Sequence, residues 1–203
     1  MKILMTVSRF CLILSAMPAL LVPVAQPRAA EREVVKTYAI TGTTGAELYA
    51  SIGDRGPVLG HGQRVIAHTS FKLTWKRDYR EEAGGCRLAG AIPSLVITYT
   101  LPKPSGPLSP AMAESWKRFS DGVRRHEIEH GRFIREMVAE IEAASFGLAA
   151  TPDPGCRQVR QMLNARLKAI SDRNTARNAA YDRVEMSEGG AVHQLILALV
   201  NGP

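Results

Sequence analysis

Two imidazoles four residues apart, with a carboxylate directly after the first, make His126-Glu127-Ile128-Glu129-His130 the stretch of this chain best equipped for chemistry. On a helix, positions four apart stack on one face, so both rings can bind one zinc ion. Glu127, rotated off that line, can then reach a water activated beside them. A carboxylate so placed takes the proton of the water and later passes it to the leaving group. With five histidines in 203 residues, chance yields H-E-x-x-H in roughly one such sequence in a hundred or fewer. Glu129 points away from the histidines that flank it and suits a solvated face.

The two histidines need a helix to hold them. Pro110 suits a first helical turn, and Trp116, Phe119, Val123, His126, His130, Phe133, Ile134, Met137, Val138 and Ile141 follow mostly three or four apart, before Gly147. This predicts one long amphipathic helix with both histidines inside its apolar stripe, while Arg124, Arg125, Arg132, Arg135 and Glu140 lie off it. A single core histidine is usually just hydrogen-bonded to its neighbours. A pair in register with Glu127 reads instead as metal ligands.

Catalytic zinc takes three protein ligands and leaves a position for water. Residues 151–155 form a proline-rich turn, and Val159, Met162, Leu163, Leu167 and Ile170 open a second helix running to Val184. If it packs antiparallel on the first with the joined ends level, the histidines face residues 172–176, which favours Asp172. A shifted register, or a chain reversal after Tyr181, brings in Asp182, Glu185 or His193 instead.

The first half of the chain reads as sheet. Residues 33–41 are rich in valine, tyrosine and isoleucine. Thr44 and Glu47 have capping-box spacing before a short helix to about Ile52, and 53–62 is a glycine-rich loop. Val65, Ala67, Thr69, Phe71, Leu73 and Trp75 alternate with polar residues as a half-buried strand. A charged turn ends at Cys86, residues 94–101 give another strand, and 102–110 form a rigid linker. Sheet segregated from helices defines an α+β class: a mainly antiparallel N-terminal sheet, the HExxH helix and a second packed helix, the zincin-like plan of the smallest zinc peptidases. An edge strand of that sheet can take an extended peptide by strand addition. His68, opposite Phe71 and Leu73, is expected in solvent, and His61 falls in a loop.

Residues 1–30 carry Lys2 and Arg9, an apolar run over 10–24 and a small-residue end at Ala25 or Ala29-Ala30, with no acidic residue: the pattern of a secretory signal peptide. One domain, residues 31–203, is then expected in the secreted or periplasmic protein, without a stable membrane span after leader removal. Cys11 goes with the leader, and in an oxidising compartment Cys86 and Cys156 most simply form a disulfide enclosing the active-site helix. Removing Lys2, Arg9 and Arg28 from 26 basic residues leaves 23 against 19 acidic ones, an excess of +4. The arginines are spread along helix faces without interleaved aromatics, so nucleic-acid binding is not indicated.

Taken in order, residues 38–42, the strand at 71–75, Gly85-Cys86, Leu101-Pro102, the HExxH helix, Cys156 and Tyr181-Asp182 resemble a bacterial family of unknown function described as predicted secreted zinc-dependent proteases. The resemblance covers nearly all of the chain after the leader. In that family Tyr-Asp precedes a Thr-x-His-Gly segment whose histidine suits a third ligand. Here the stretch is Glu185-Met186-Ser187-Glu188, so the resemblance points to Asp182 as the ligand, with zinc bound by His126, His130 and Asp182. Tyr181 reads as a packing residue rather than an oxyanion stabiliser. The implied activity is an exported metallopeptidase acting on peptides or proteins, with Glu127 as general base. The alternative is a non-catalytic zinc-binding envelope protein that captures peptides or a partner.

Overall fold

A computed structural model describes residues 30–60 and 62–203. The leader at 1–30, Ala30 apart, and His61 lie outside the described residues.

Strand β1 (Ala30–Ile40) leads into helix α1 (Gly45–Arg55). The expected capping box is formed: Thr44 Oγ1 accepts from the Glu47 amide at 3.2 Å, and Glu47 Oε2 accepts from the Thr44 amide at 3.1 Å. Strands β2 (His68–Glu82) and β3 (Gly85–Pro104) are longer than their alternation suggested and form one hairpin. They meet at Ala83-Gly84, where φ is 49° and 76°. Positive φ at both central residues is what a tight turn needs to match the right-handed twist of the strands. The charged stretch before Cys86 is therefore strand with a register shift at Asp78/Tyr79, not turn. Val65, read as strand, belongs to the loop before β2, where its amide bonds to the Pro57 carbonyl.

Among the described residues the sheet order is β1-β3-β2, with β2 antiparallel and β1 parallel to β3. The short β4 (Ala149–Ala150) pairs antiparallel with β3 at Cys86 and Arg87. The fold is α+β, as the segregation of patterns implied.

Helix α2 (Pro110–Ser145) starts at Ser109, whose side chain accepts from the Met112 amide, and its apolar stripe runs along the whole element. Its N-terminal half packs Met112, Phe119 and Val123 against Ile40, Leu48 and Ile52. The C-terminal half packs Ile134, Met137, Val138 and Ile141 against Leu95, Ile97 and Tyr99 of β3. Burial of each such side chain contributes about 1.5–3 kcal/mol. His126 and His130 fall in the interval between these two apolar clusters.

Helix α3 (Arg157–Met186) packs back on α2, and α4 (Ala191–Val200), which periodicity had not separated from the C-terminal tail, closes the first cluster with Leu199. Its approach depends on glycine. A Cβ on Gly45 would stand 1.8 Å from the Leu199 carbonyl oxygen, and one on Gly122 would stand 2.2 Å from the Leu195 side chain. No described helix is long and apolar enough to cross a membrane.

Cys86 and Cys156 are bonded across a separation of 70 residues, with Leu88, Val159 and Leu163 packed around them. By loop-closure entropy a link of this span is worth about 4 kcal/mol. Replacing both cysteines by serine should lower unfolding stability by roughly 2–5 kcal/mol, read from the denaturant midpoint.

Candidate metal centre

His126 and His130 are buried on α2, 5% and 9% exposed, and the α2–α3 interface brings Asp182 against them. Asp182 Oδ1 lies 3.2 Å from His126 Nε2 and 2.8 Å from His130 Nε2, and the two Nε2 atoms are 3.1 Å apart. Three lone-pair atoms converging at this spacing can hold one metal ion. Ligands 2.0–2.1 Å from a tetrahedral metal are separated by about 3.3–3.4 Å, so the triangle nearly matches one face of such a tetrahedron. Two imidazoles and one carboxylate would leave a fourth position free on a tetrahedral ion.

The ring of His130 is oriented from behind. His130 Nδ1 donates to Asn178 Oδ1 at 2.5 Å, and Asn178 Nδ2 donates to the Asn174 carbonyl at 2.7 Å. The second bond fixes which way the amide faces, so the first fixes the tautomer and turns the Nε2 lone pair of His130 towards Asp182. Burial disfavours the charged ring of His130, but the bonds to Asp182 and Asn178 outweigh it and raise its pKa. Burial likewise opposes ionisation of Asp182, yet the two imidazoles hold its carboxyl well below the usual carboxylate range. His126 Nδ1 is buried without a partner, and its nearest carboxylate, Glu185 Oε2, is 3.9 Å away. Tyr181 stacks on His126 with centroids 4.8 Å apart and planes 15° apart, and meets His130 and Phe133 edge-on. It packs against both candidate ligands. Burial pushes its hydroxyl up to about 12, helped by Glu185 and Glu129.

Glu127 is 4% exposed and lines the same cleft as the three donors. Thr69 Oγ1, at the start of β2, donates to its Oε2 at 2.5 Å, which ties the sheet edge to the helix. Burial raises the pKa of Glu127, while the Thr69 bond and the nearby histidines pull it down. Glu129 is half-buried and paired with Arg132. Neither Thr69 nor Asn178 carried a signal in the sequence, because each matters only through the element it faces.

Asp172 is a correction. It is exposed and paired with Lys168 at 2.5 Å, away from the centre. The joined helix ends are not level. After α2 the chain pairs β4 with β3, and the Asp153 amide bonds to the Gly84 carbonyl at the tip of the β2–β3 hairpin. Only then does α3 begin, with the buried Asp153 carboxylate accepting from the amides of Gln158 and Val159. The detour places Asn178 and Asp182 opposite the histidines instead of 172–176. That is a shift of six residues, about 9 Å along a helix. His193, on α4, accepts from the Gly189 amide and is not among the converging donors. Ser187, in the segment that departs from the Thr-x-His-Gly pattern, caps the end of α3 and bonds to the Val184 carbonyl. His68, expected in solvent, is half-buried and lines the cleft, because the loop before β2 folds over the start of that strand.

Asp182→Ala should therefore weaken metal binding at least tenfold, about 1.4 kcal/mol. Asp172→Ala and His193→Ala should each change it by less than threefold in a competition titration with a chelator. His193→Ala proving the most damaging of the three would overturn this assignment.

Fold and centre together define an α+β protein with a His-His-Asp group, its imidazoles buried and its carboxylate half-exposed, able to hold a metal ion beside a buried glutamate. Residues 35–190 match the family described as bacterial protein of unknown function (DUF922), and the chain belongs to that family. No curated protein and no solved structure matches it.

Proposed function

We propose that the protein is an exported zinc-dependent peptidase. The observation that carries this reading is the coincidence, in one cleft, of three converging donors and the unligated Glu127 carboxylate. A site that only held metal for stability would need the donors but not a buried carboxylate beside them. Bound zinc would polarise the scissile carbonyl and acidify the attacking water. Glu127 removes the proton from that water and returns it to the leaving amine. The Thr69 hydroxyl occupies Oε2 of Glu127 and leaves Oε1 for the proton transfer. Asn178 keeps His130 in the binding tautomer throughout. The β2 edge, unpaired among the described residues on the side away from β3, offers main-chain groups to an extended substrate.

Export is supported by the basic, apolar, small-residue order of residues 1–30 and by the Cys86–Cys156 bond, which suits an oxidising compartment. A second reading, peptide capture without cleavage, rests on the absence of the expected histidine at 185–188. The deciding experiment loads the leaderless chain with zinc and offers it a mixed peptide library. Cleavage that stops on chelation and returns with zinc is expected. No cleavage at full zinc occupancy, with retained peptide binding, would establish the capture reading instead.

A further inference from the structure

The cleft that holds His126, His130 and Asp182 is a cavity of about 330 Å³, and most of its lining apart from those donors and Glu127 is apolar. Alongside His130 its walls include Ile134 of α2, and Asn174, Thr175 and Asn178 of α3 supply polar groups there. The other end, one helical turn before His126, is walled by Val123 of α2, Val192 of α4, and Leu59, Val65 and Ile66 from the loop before β2. Val123 and Val192 are almost completely buried, 3% and 2% exposed. Leu59, Val65 and Ile66 are half-buried, and their apolar atoms are what a ligand would meet. The formal charges in the whole lining are Glu127 and Asp182, both committed to the centre. A charged side chain entering this end would lose water and find no partner, a cost of several kcal/mol.

We infer that this end of the cleft is a binding site for one bulky apolar side chain. The substrate class is then a peptide with a leucine-like or aromatic residue next to the scissile bond. Val123 lies three residues before His126, about 4.5 Å along the helix, so this part of the cleft adjoins the donors. The inference rests on the peptidase reading for the words "scissile bond", but the pocket itself can be tested without turnover.

The test uses the Glu127→Gln chain loaded with zinc and a set of short peptide hydroxamates that differ only in one side chain: Leu, Phe, Ala, Asp or Lys. The Leu compound should bind about fiftyfold tighter than the Ala compound, from three extra buried carbons at ~0.8 kcal/mol each and 1.4 kcal/mol per tenfold. Asp and Lys should bind more weakly than Ala. Leu59→Glu, in a partly exposed loop, should cut the Leu preference at least tenfold with zinc content unchanged. Affinities within threefold of each other across the set, or no binding of any hydroxamate by zinc-loaded protein, would overturn the inference. Turnover separates it from the function. Equal cleavage of Leu- and Asp-flanked peptides by the unmodified chain removes the pocket and leaves the peptidase. Hydroxamate selectivity without any cleavage keeps the pocket and removes the peptidase.

Discussion

Glu127→Gln should leave the fold and the bound zinc intact while lowering peptide hydrolysis by at least a hundredfold. The expectation follows from position. Glu127 is buried beside the three donors but is not one of them. The amide keeps the volume of the side chain and retains a carbonyl oxygen that can accept from Thr69 Oγ1, so the contact between β2 and α2 survives. What disappears is a group able to take a proton, and positioned proton transfer contributes roughly 10²- to 10⁴-fold. The measurements are zinc content, far-UV circular dichroism and kcat/KM on any cleaved peptide. A variant that hydrolyses at more than a tenth of the original rate would exclude Glu127 as the base.

His126→Ala should strip the metal. Nε2 of His126 is one of three atoms spaced 2.8–3.2 Å apart, and the remaining imidazole and carboxylate leave an incomplete set. Affinity should fall at least a hundredfold, more than the 10- to 100-fold typical of losing a residue that only supports a ligand. Stoichiometry should drop from one zinc per chain to near zero after dialysis against a weak chelator. The ring also stacks on Tyr181, so alanine leaves a hole there. His126→Gln, which refills part of that space, should lose the metal equally while recovering some thermal stability. Full zinc in both variants would refute the site.

How much was legible in the sequence depended on range. The α2 helix, its stripe and the inward placement of both histidines follow from the period of 3.6 and the i, i+4 spacing, properties of one element with no knowledge of its neighbours. The capping box at Thr44 and Glu47 was legible for the same reason. The hairpin was misjudged because Ala83-Gly84 is a two-residue turn buried in a longer charged run, which polarity alone marks as loop.

The sequence by itself determined that two imidazoles would stand on one buried helix face with a carboxylate rotated off their line, and that Cys86 and Cys156 were available to bond. Periodicity left the third donor open and the family resemblance pointed to Asp182, but only the tertiary structure brings Asp182, and not Asp172, against the two histidines. Asp172 and Asp182 are both on α3, and helical periodicity cannot say how far that helix slides along α2. The slide is set by the path of residues 146–156, drawn to the β2–β3 turn by β4 pairing, by the Asp153–Gly84 hydrogen bond and by the disulfide. Thr69 behind Glu127 and Asn178 behind His130 depend on the same packing, since each acts across an interface between elements far apart in the chain. Spacing along one helix is fixed by backbone geometry. The offset between two helices is fixed by the connection between them and the surfaces they bury.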